Sequence, residues 1–134
     1  MIAETSASII TQFDATANMY LALSGGLYMQ QAPQDVSSPY GVFYISGISR
    51  EEIMGDADDH ITEVEFQFNI FSEDNDGYEM ATLVELLIET YNWKDLSIDN
   101  YNCVSMQMVS VTNIGFVDEI WQTTIMFSMK IQKD

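Results

Sequence analysis

The clearest structural signal in the sequence is the stretch Glu63-Val64-Glu65-Phe66-Gln67-Phe68-Asn69-Ile70. Apolar and polar side chains alternate through it, and a period of two is the pattern of a β-strand with one face in a core and the other in water. The stretch therefore predicts a strand whose apolar residues are buried and whose glutamates face outward.

A helix is predicted directly after this strand. The residues Ser72-Glu73-Asp74-Asn75-Asp76-Gly77 end the alternation, and their acids are favourable at the positive end of a helix dipole. Apolar side chains then recur at helical spacing to about Tyr91. The predicted stripe consists of Tyr78, Ala81, Val84, Leu87, Ile88 and Tyr91.

The flanking segments complete the predicted element order. An amphipathic helix spans about 5–24 and is closed by Gly25-Gly26, where glycines tolerate positive φ. Short strands follow at 27–30 and 40–46, and an acidic loop covers 49–60. Two long strands, about 103–112 and 120–131, form a hairpin joined through Asn113, Gly115 and Asp118.

This order predicts an α+β fold in one domain covering residues 1–134. We expect a mostly antiparallel sheet of four to five strands, with two amphipathic helices packed on one face. The opposite face is predicted to be polar and acidic. Its expected members are Glu63, Glu65, Gln67, Asn69, Ser105, Gln107, Gln122, Thr124 and Ser128.

The charge balance excludes several functions. The chain has 4 Lys and Arg against 21 Asp and Glu, a formal net charge of −17, and every charged residue between Arg50 and Lys94 is an acid, apart from His60. Affinity for nucleic acid comes mainly from Lys and Arg that displace counterions, so gripping DNA is excluded as a primary mode. Anionic membranes are excluded for the same reason, and no apolar run is long enough to span a bilayer.

No catalytic, cofactor or metal site is predicted. An EF-hand loop from Ser72 would place Leu83 where calcium needs a bidentate glutamate, and the cluster Asp56-Ala57-Asp58-Asp59-His60 lacks the glycine and the distal glutamate. The single histidine, His60, has no partner nucleophile in a recognisable motif. Cys103 is expected on the polar face or at its edge, with no basic neighbour in sequence to activate it.

Several stretches resemble the tail terminator, or tail-completion, proteins of long-tailed bacteriophages and related particles. The resemblance covers most of the chain and includes the order of the elements. The stretches that carry it are Gly25-Gly26-Leu27-Tyr28, Ala32-Pro33-Gln34, Ser38-Pro39-Tyr40, Val42-Phe43-Tyr44-Ile45 and Val64-Glu65-Phe66-Gln67-Phe68-Asn69-Ile70-Phe71-Ser72.

The resemblance implies a non-enzymatic structural protein of the virion, assembled in the host cytoplasm. Such proteins form a six-membered ring that caps the finished tail tube and joins it to the head connector, so the implied partners are further copies of this chain, the tube protein and a connector or head-closure protein. DNA would pass through the ring without being held. The residues expected to face that lumen are Asp56, Asp58, Asp59, Glu63 and Glu65.

Other functions remain open at this stage. The chain could be another neck protein, such as a head-closure or adaptor protein. It could also be an acidic adaptor or a DNA mimic that occupies a basic site on a partner. An enzyme or small-ligand binder would need a deep pocket near His60, or Glu63 and Glu65 paired as acid and base.

Overall fold

The computed structural model describes residues 1–51, 61–73 and 77–133. It contains three helices and five strands in these described ranges. They are α1 (Ile2–Ala15), α2 (Ala17–Ala22), β1 (Leu27–Met29), β2 (Tyr40–Glu51), β3 (Ile61–Ser72), α3 (Tyr78–Tyr91), β4 (Tyr101–Val117) and β5 (Ile120–Lys133).

The strands form one sheet in the order β1-β2-β3-β5-β4. Every neighbouring pair is antiparallel except β1 and β2, which are parallel. The predicted α+β class and mostly antiparallel sheet are therefore confirmed. None of the described helices is long and apolar enough to cross a membrane.

The predicted first helix is divided at Thr16, and that part of the prediction is wrong. Thr16 has extended backbone angles, φ −101° and ψ 94°, and its amide donates to the Phe13 carbonyl. Its hydroxyl donates to the Gln12 carbonyl over 2.9 Å, which satisfies the acceptor that the Thr16 amide would bond in a continuous helix. Helix α2 begins at Ala17, directly after this break, and its Met19 is buried.

Helix α3 has the predicted bounds, but its buried face is rotated from the predicted stripe. Tyr78 and Ala81 are exposed, whereas Met80 and Leu83 are buried together with Leu87. Met80 and Leu83 are as apolar as the residues of the predicted stripe. The helix thus has two adjacent apolar stripes, and contact with the sheet selects one of them.

The closing hairpin is longer than predicted, and its turn consists of Asp118 and Glu119 alone. Both have positive φ, 53° and 67°. Gly115, which the sequence assigned to the turn, lies inside β4 at a shift of register between Asn113 and Gly115. Strand β2 is also longer than predicted, since it extends through Ser49 to Glu51 where a loop was expected.

The core lies between the helices and the sheet around Phe68. The Phe68 ring contacts Phe43, Tyr91 and Phe127 at centroid distances of 5.8, 5.1 and 5.5 Å. The Tyr91 hydroxyl donates to the Ile9 carbonyl over 2.8 Å, so this buried phenol connects α3 to α1. Burial raises the pKa of Tyr91, and the negative charge of Asp14 raises it further.

Replacing the hairpin turn by Asn-Gly should stabilise the fold. Asp118→Asn with Glu119→Gly gives the residue pair that best tolerates two positive φ angles, and we expect about 1 to 2 kcal/mol more free energy of unfolding. Urea denaturation measures the gain. The matched control is Glu85→Gln with Glu89→Gln, which removes two charges from exposed positions of α3. An equal gain in the control would assign the effect to charge and refute the backbone explanation.

Tyr91→Phe should lower the free energy of unfolding at neutral pH. The difference from wild type should become smaller at alkaline pH. Leaving the Ile9 carbonyl without the phenol costs about 1 to 2 kcal/mol. Because burial raises the pKa of Tyr91 above its ordinary value of 10, the unfolded chain loses this proton first, and the wild type loses stability above pH 10.

The Tyr91→Phe variant lacks this alkaline loss, so the two stability curves should converge as the pH rises above 10, by up to about 1.4 kcal/mol per pH unit. Urea denaturation between neutral pH and pH 11 measures it. Tyr20→Phe, at a residue that is 53% exposed, is the control and should keep the alkaline loss. Parallel curves for wild type and Tyr91→Phe would contradict the prediction.

Candidate functional site

The face of the sheet turned away from the helices is the candidate site, and we call it the outer face. Residues that pair directly across an antiparallel ladder share a face. Glu65 pairs with Ser128, and Asn69 pairs with Thr124, while the intervening pair of Phe66 and Phe127 is fully buried. The polar residues that the alternation assigned to this face therefore lie on it.

Glu63 and Glu65 lie on the outer face but have different surroundings. Glu63 is partly buried, and its carboxylate accepts a hydrogen bond of 2.7 Å from the Ser128 hydroxyl. Lys130 stands opposite Glu63 in the ladder. Glu65 is exposed, and its carboxylate extends over Gly47 of β2, where an added Cβ would lie 3.3 Å from Oε2. One carboxylate is anchored to the sheet and the other faces water.

Neutral polar groups occupy the middle of the outer face. The Asn69 side-chain oxygen accepts hydrogen bonds from the Thr124 hydroxyl over 2.8 Å and from the Gln67 amide over 3.3 Å. The bond from Thr124 joins β5 to β3 on the solvent side of the sheet, and the bond from Gln67 lies within β3. The side chains of Gln67, Asn69 and Thr124 bond to one another and are neutral, so this region presents a polar surface without positive charge.

One end of the outer face is aromatic, which the sequence analysis did not predict. Tyr40 and Phe71 stack at 4.9 Å with 20° between their planes, and Val42 and Tyr44 continue the row along β2. Together with the loop 30–36 they line an open groove of about 400 Å³. The sequence carried part of the signal, because Tyr40, Val42 and Tyr44 alternate with Gly41 and Phe43, and a period of two places the two sets on opposite faces.

The other sequence-predicted site residues lie in the part of the chain that the structure does not describe. Asp56, Asp58, Asp59 and His60 lie outside the described residues, as do Asp74, Asn75 and Asp76 of the rejected calcium loop. Within the described ranges, no group of three or more His, Cys, Asp and Glu residues could hold a metal ion. The lumen-facing role of the five acids stays a prediction.

Cys103 lies on β4, the edge strand of the sheet, with its side chain on the helix side, so the predicted edge position is confirmed and the predicted polar-face position is wrong. A register shift between Cys103 and Ser105 places them on opposite faces, although alternate residues of a regular strand share one. Its thiol contacts the Lys94 carbonyl at 3.9 Å. Burial raises the pKa of Cys103, and the charge of Asp95 adds to the effect, so the reactive thiolate is disfavoured.

The free edge of β4 is partly used by the chain itself. The Trp93 amide donates to the Met106 carbonyl over 2.7 Å, and the Met108 amide donates to the Asn92 side-chain oxygen over 2.9 Å. The segment after α3 therefore occupies the middle of this edge. Register shifts within β4 further interrupt a straight ladder for a neighbouring copy.

No protein-family model matches the sequence, and no curated protein matches it. Solved structures do. A chain in the virion of a native gene transfer agent particle superposes with a TM-score of 0.76 at 11% sequence identity, covering 94% of this chain and 92% of that one. A second solved structure gives a TM-score of 0.63 at 16% identity, covering 96% of each chain. At these identities the likeness shows a shared fold.

Proposed function

We propose that this protein is a structural component of a phage-like virion that caps the tail tube as a ring and joins it to the head connector. The observation that carries the proposal is the fold likeness to a chain of a gene transfer agent virion, which spans nearly the whole of both chains. The resemblance in sequence to tail terminators, which rests on separate stretches, supports the same conclusion.

The outer face supports the second part of the proposal, an acidic lumen through which DNA passes. Among its described side chains, Lys130 is the cation, and it stands opposite Glu63 in the ladder. A phosphate backbone moving along such a surface meets carboxylates and neutral amides and exchanges few counterions, so it gains little binding energy. DNA would therefore slide without being trapped.

Ring formation must overcome repulsion between copies. Each chain has a formal charge of −17, so six copies in contact repel one another strongly at low salt. Screening at physiological ionic strength reduces this repulsion beyond about 8 Å. Apolar contacts must supply the association energy, and contact with the tube end favours closure by bringing the copies together.

The test is electron microscopy of particles assembled without this protein. Tails of uncontrolled length that lack heads would support the tail-cap function, because the ring both ends tube growth and provides the joining surface. Tails of normal length separated from filled heads would indicate a head-closure or adaptor protein. Normal virions would refute the structural role, and expression of the wild-type chain in trans should restore joined particles.

Glu65→Lys tests the lumen. Glu65 is exposed on the outer face, so the substitution should leave the fold intact and particles should assemble with joined tails. A cation at each copy then gives passing phosphates a binding partner, and transfer of DNA should fall by about tenfold or more.

Two matched variants accompany it. Glu65→Gln removes the charge without adding a cation and should transfer DNA nearly as well as wild type. Glu85→Lys makes the same charge reversal at an exposed position of α3 and should have no effect. Equal defects in Glu65→Lys and Glu85→Lys would argue against a lumen at the outer face.

A further inference from the structure

An exposed apolar surface lies on the helix side of the sheet, where the helices do not reach β4. Val111 pairs with Ile125, yet Ile125 is fully buried and Val111 is 42% exposed. Phe116 pairs with Trp121, contacts it at a ring-centroid distance of 5.1 Å, and is 44% exposed. The helix layer therefore covers β5 and leaves the distal half of β4 open.

The first turn of α3 extends this surface. Gly77 lies against the Trp121 indole, where an added Cβ would be 3.5 Å from the ring, and Tyr78 beside it is 78% exposed. We call Tyr78, Val111, Phe116 and Trp121 the β4 shelf. Asn113, which pairs with Thr123, lies between Val111 and Phe116 on this side of the sheet. Exposed apolar side chains grouped in this way mark interaction surfaces when polar groups surround them.

The described charged groups around the β4 shelf are acids. Asp118 and Glu119 form the exposed turn that follows β4, and Glu79 is in the first turn of α3. Glu73 is exposed and follows Ser72, the residue that pairs with Trp121. The rim of the shelf is therefore acidic on the sides formed by the hairpin turn, the end of β3 and the start of α3.

The cations of the chain lie at the other end of the sheet. Lys130 is five residues beyond Ile125, the partner of Val111, and nine beyond Trp121, so it lies about 17 to 30 Å from the shelf, and Lys133 lies farther along β5. Lys94 follows the far end of α3, about 20 Å from Tyr78. Arg50 pairs with Thr62, and Thr62 pairs with Ile131, so its place in the ladder is at the same end of the sheet as Lys130. These separations exceed the screening length of about 8 Å, so the cations do not neutralise the negative potential of the rim acids.

We propose that the β4 shelf docks a partner protein that presents apolar side chains surrounded by lysine or arginine. Charge complementarity selects this occupant. Two copies of the chain meeting shelf to shelf would place acids against acids, a juxtaposition that suppresses wrong partners. Nucleic acids and anionic lipids are repelled by the same rim. The inference rests on the shelf residues alone and holds whether or not the protein caps a tail.

The experiment uses a defined probe, a fluorescein-labelled amphipathic helical peptide of about 15 residues with leucines on one face and flanking lysines. Fluorescence anisotropy with the full chain at about 150 mM NaCl measures binding. We expect saturable binding that weakens with added salt. The same peptide with glutamate for lysine, and one with serine for leucine, should each bind about tenfold more weakly or not at all.

Variants of the protein locate the binding. Phe116→Ser should weaken it about tenfold, because an exposed aromatic anchor is lost. Asp118→Asn with Glu119→Gly should weaken it a few-fold while keeping the turn. The matched control, Glu85→Gln with Glu89→Gln, removes the same charge from the exposed side of α3 and should change binding less than twofold.

Hydrogen exchange of the wild type with the bound peptide makes the test independent of whether Phe116→Ser folds. Protection confined to 111–121 and the first turn of α3 supports the proposal. The proposal would be overturned if the peptide does not bind, or if the turn variant and the α3 control lose the same amount of peptide affinity. Protection in another part of the chain would overturn it as well. Sedimentation that shows a wild-type dimer abolished by Phe116→Ser would also overturn it, since a second copy would then occupy the shelf.

Discussion

The register of β3 between its two neighbours is the constraint on which the rest of the structure depends. Strand β3 pairs with β5 from Ile61 to Ser72 without a shift, and with β2 from Ile61 to Phe71. A slip of one residue would turn Glu63 and Glu65 into the core and Phe68 into water. Burying unpaired carboxylates costs several kcal/mol each, so this register admits no alternative. The core and the outer face are therefore fixed by the same alternation, and neither can be changed without the other.

The irregularities of the sheet lie beside this regular pair. Strand β2 shifts register between Ile45 and Gly47, and β4 shifts between Cys103 and Ser105, between Met108 and Ser110, and again at Gly115. Each shift adds a residue to β2 or to β4, and such a β-bulge increases the local twist of the strand. The central strands stay regular while the flanking strands bend around them. Two of these shifts lie in the distal half of β4, where Val111 and Phe116 are exposed, whereas their partners on β5 are buried or partly buried.

The sequence predicts what local periodicity determines and misses what distant contacts decide. The alternation of β3 and the bounds of α3 were correct because each pattern is strong within one element. The break at Thr16 is not marked in the sequence, because threonine hydroxyls make the same bond to the carbonyl four residues earlier inside continuous helices, as Thr82 does in α3. The face of α3 depends on the sheet beneath it, and the side on which Cys103 lies depends on a bulge that the sequence does not mark. For the site, the outward position of Glu63 and Glu65 was predictable, whereas the stacked Tyr40 and Phe71 required the register of β2 against β3.

The shortage of cations has opposite consequences on the two sides of the sheet. On the outer face, polar groups bond to one another through Asn69, and the described carboxylates Glu63 and Glu65 lie along one strand, so this part of the surface repels a polyanion. On the helix side, acids surround exposed aromatic rings, so a cationic protein gains both apolar burial and charge pairing. Salt distinguishes the two surfaces: screening weakens attraction at the acidic rim, whereas the outer face, whose described cation is Lys130 opposite Glu63, offers DNA few phosphate contacts at any salt concentration. A single excess of negative charge can thus exclude nucleic acid from binding at one surface and select a basic protein at another, because burial of apolar area decides which encounter is retained.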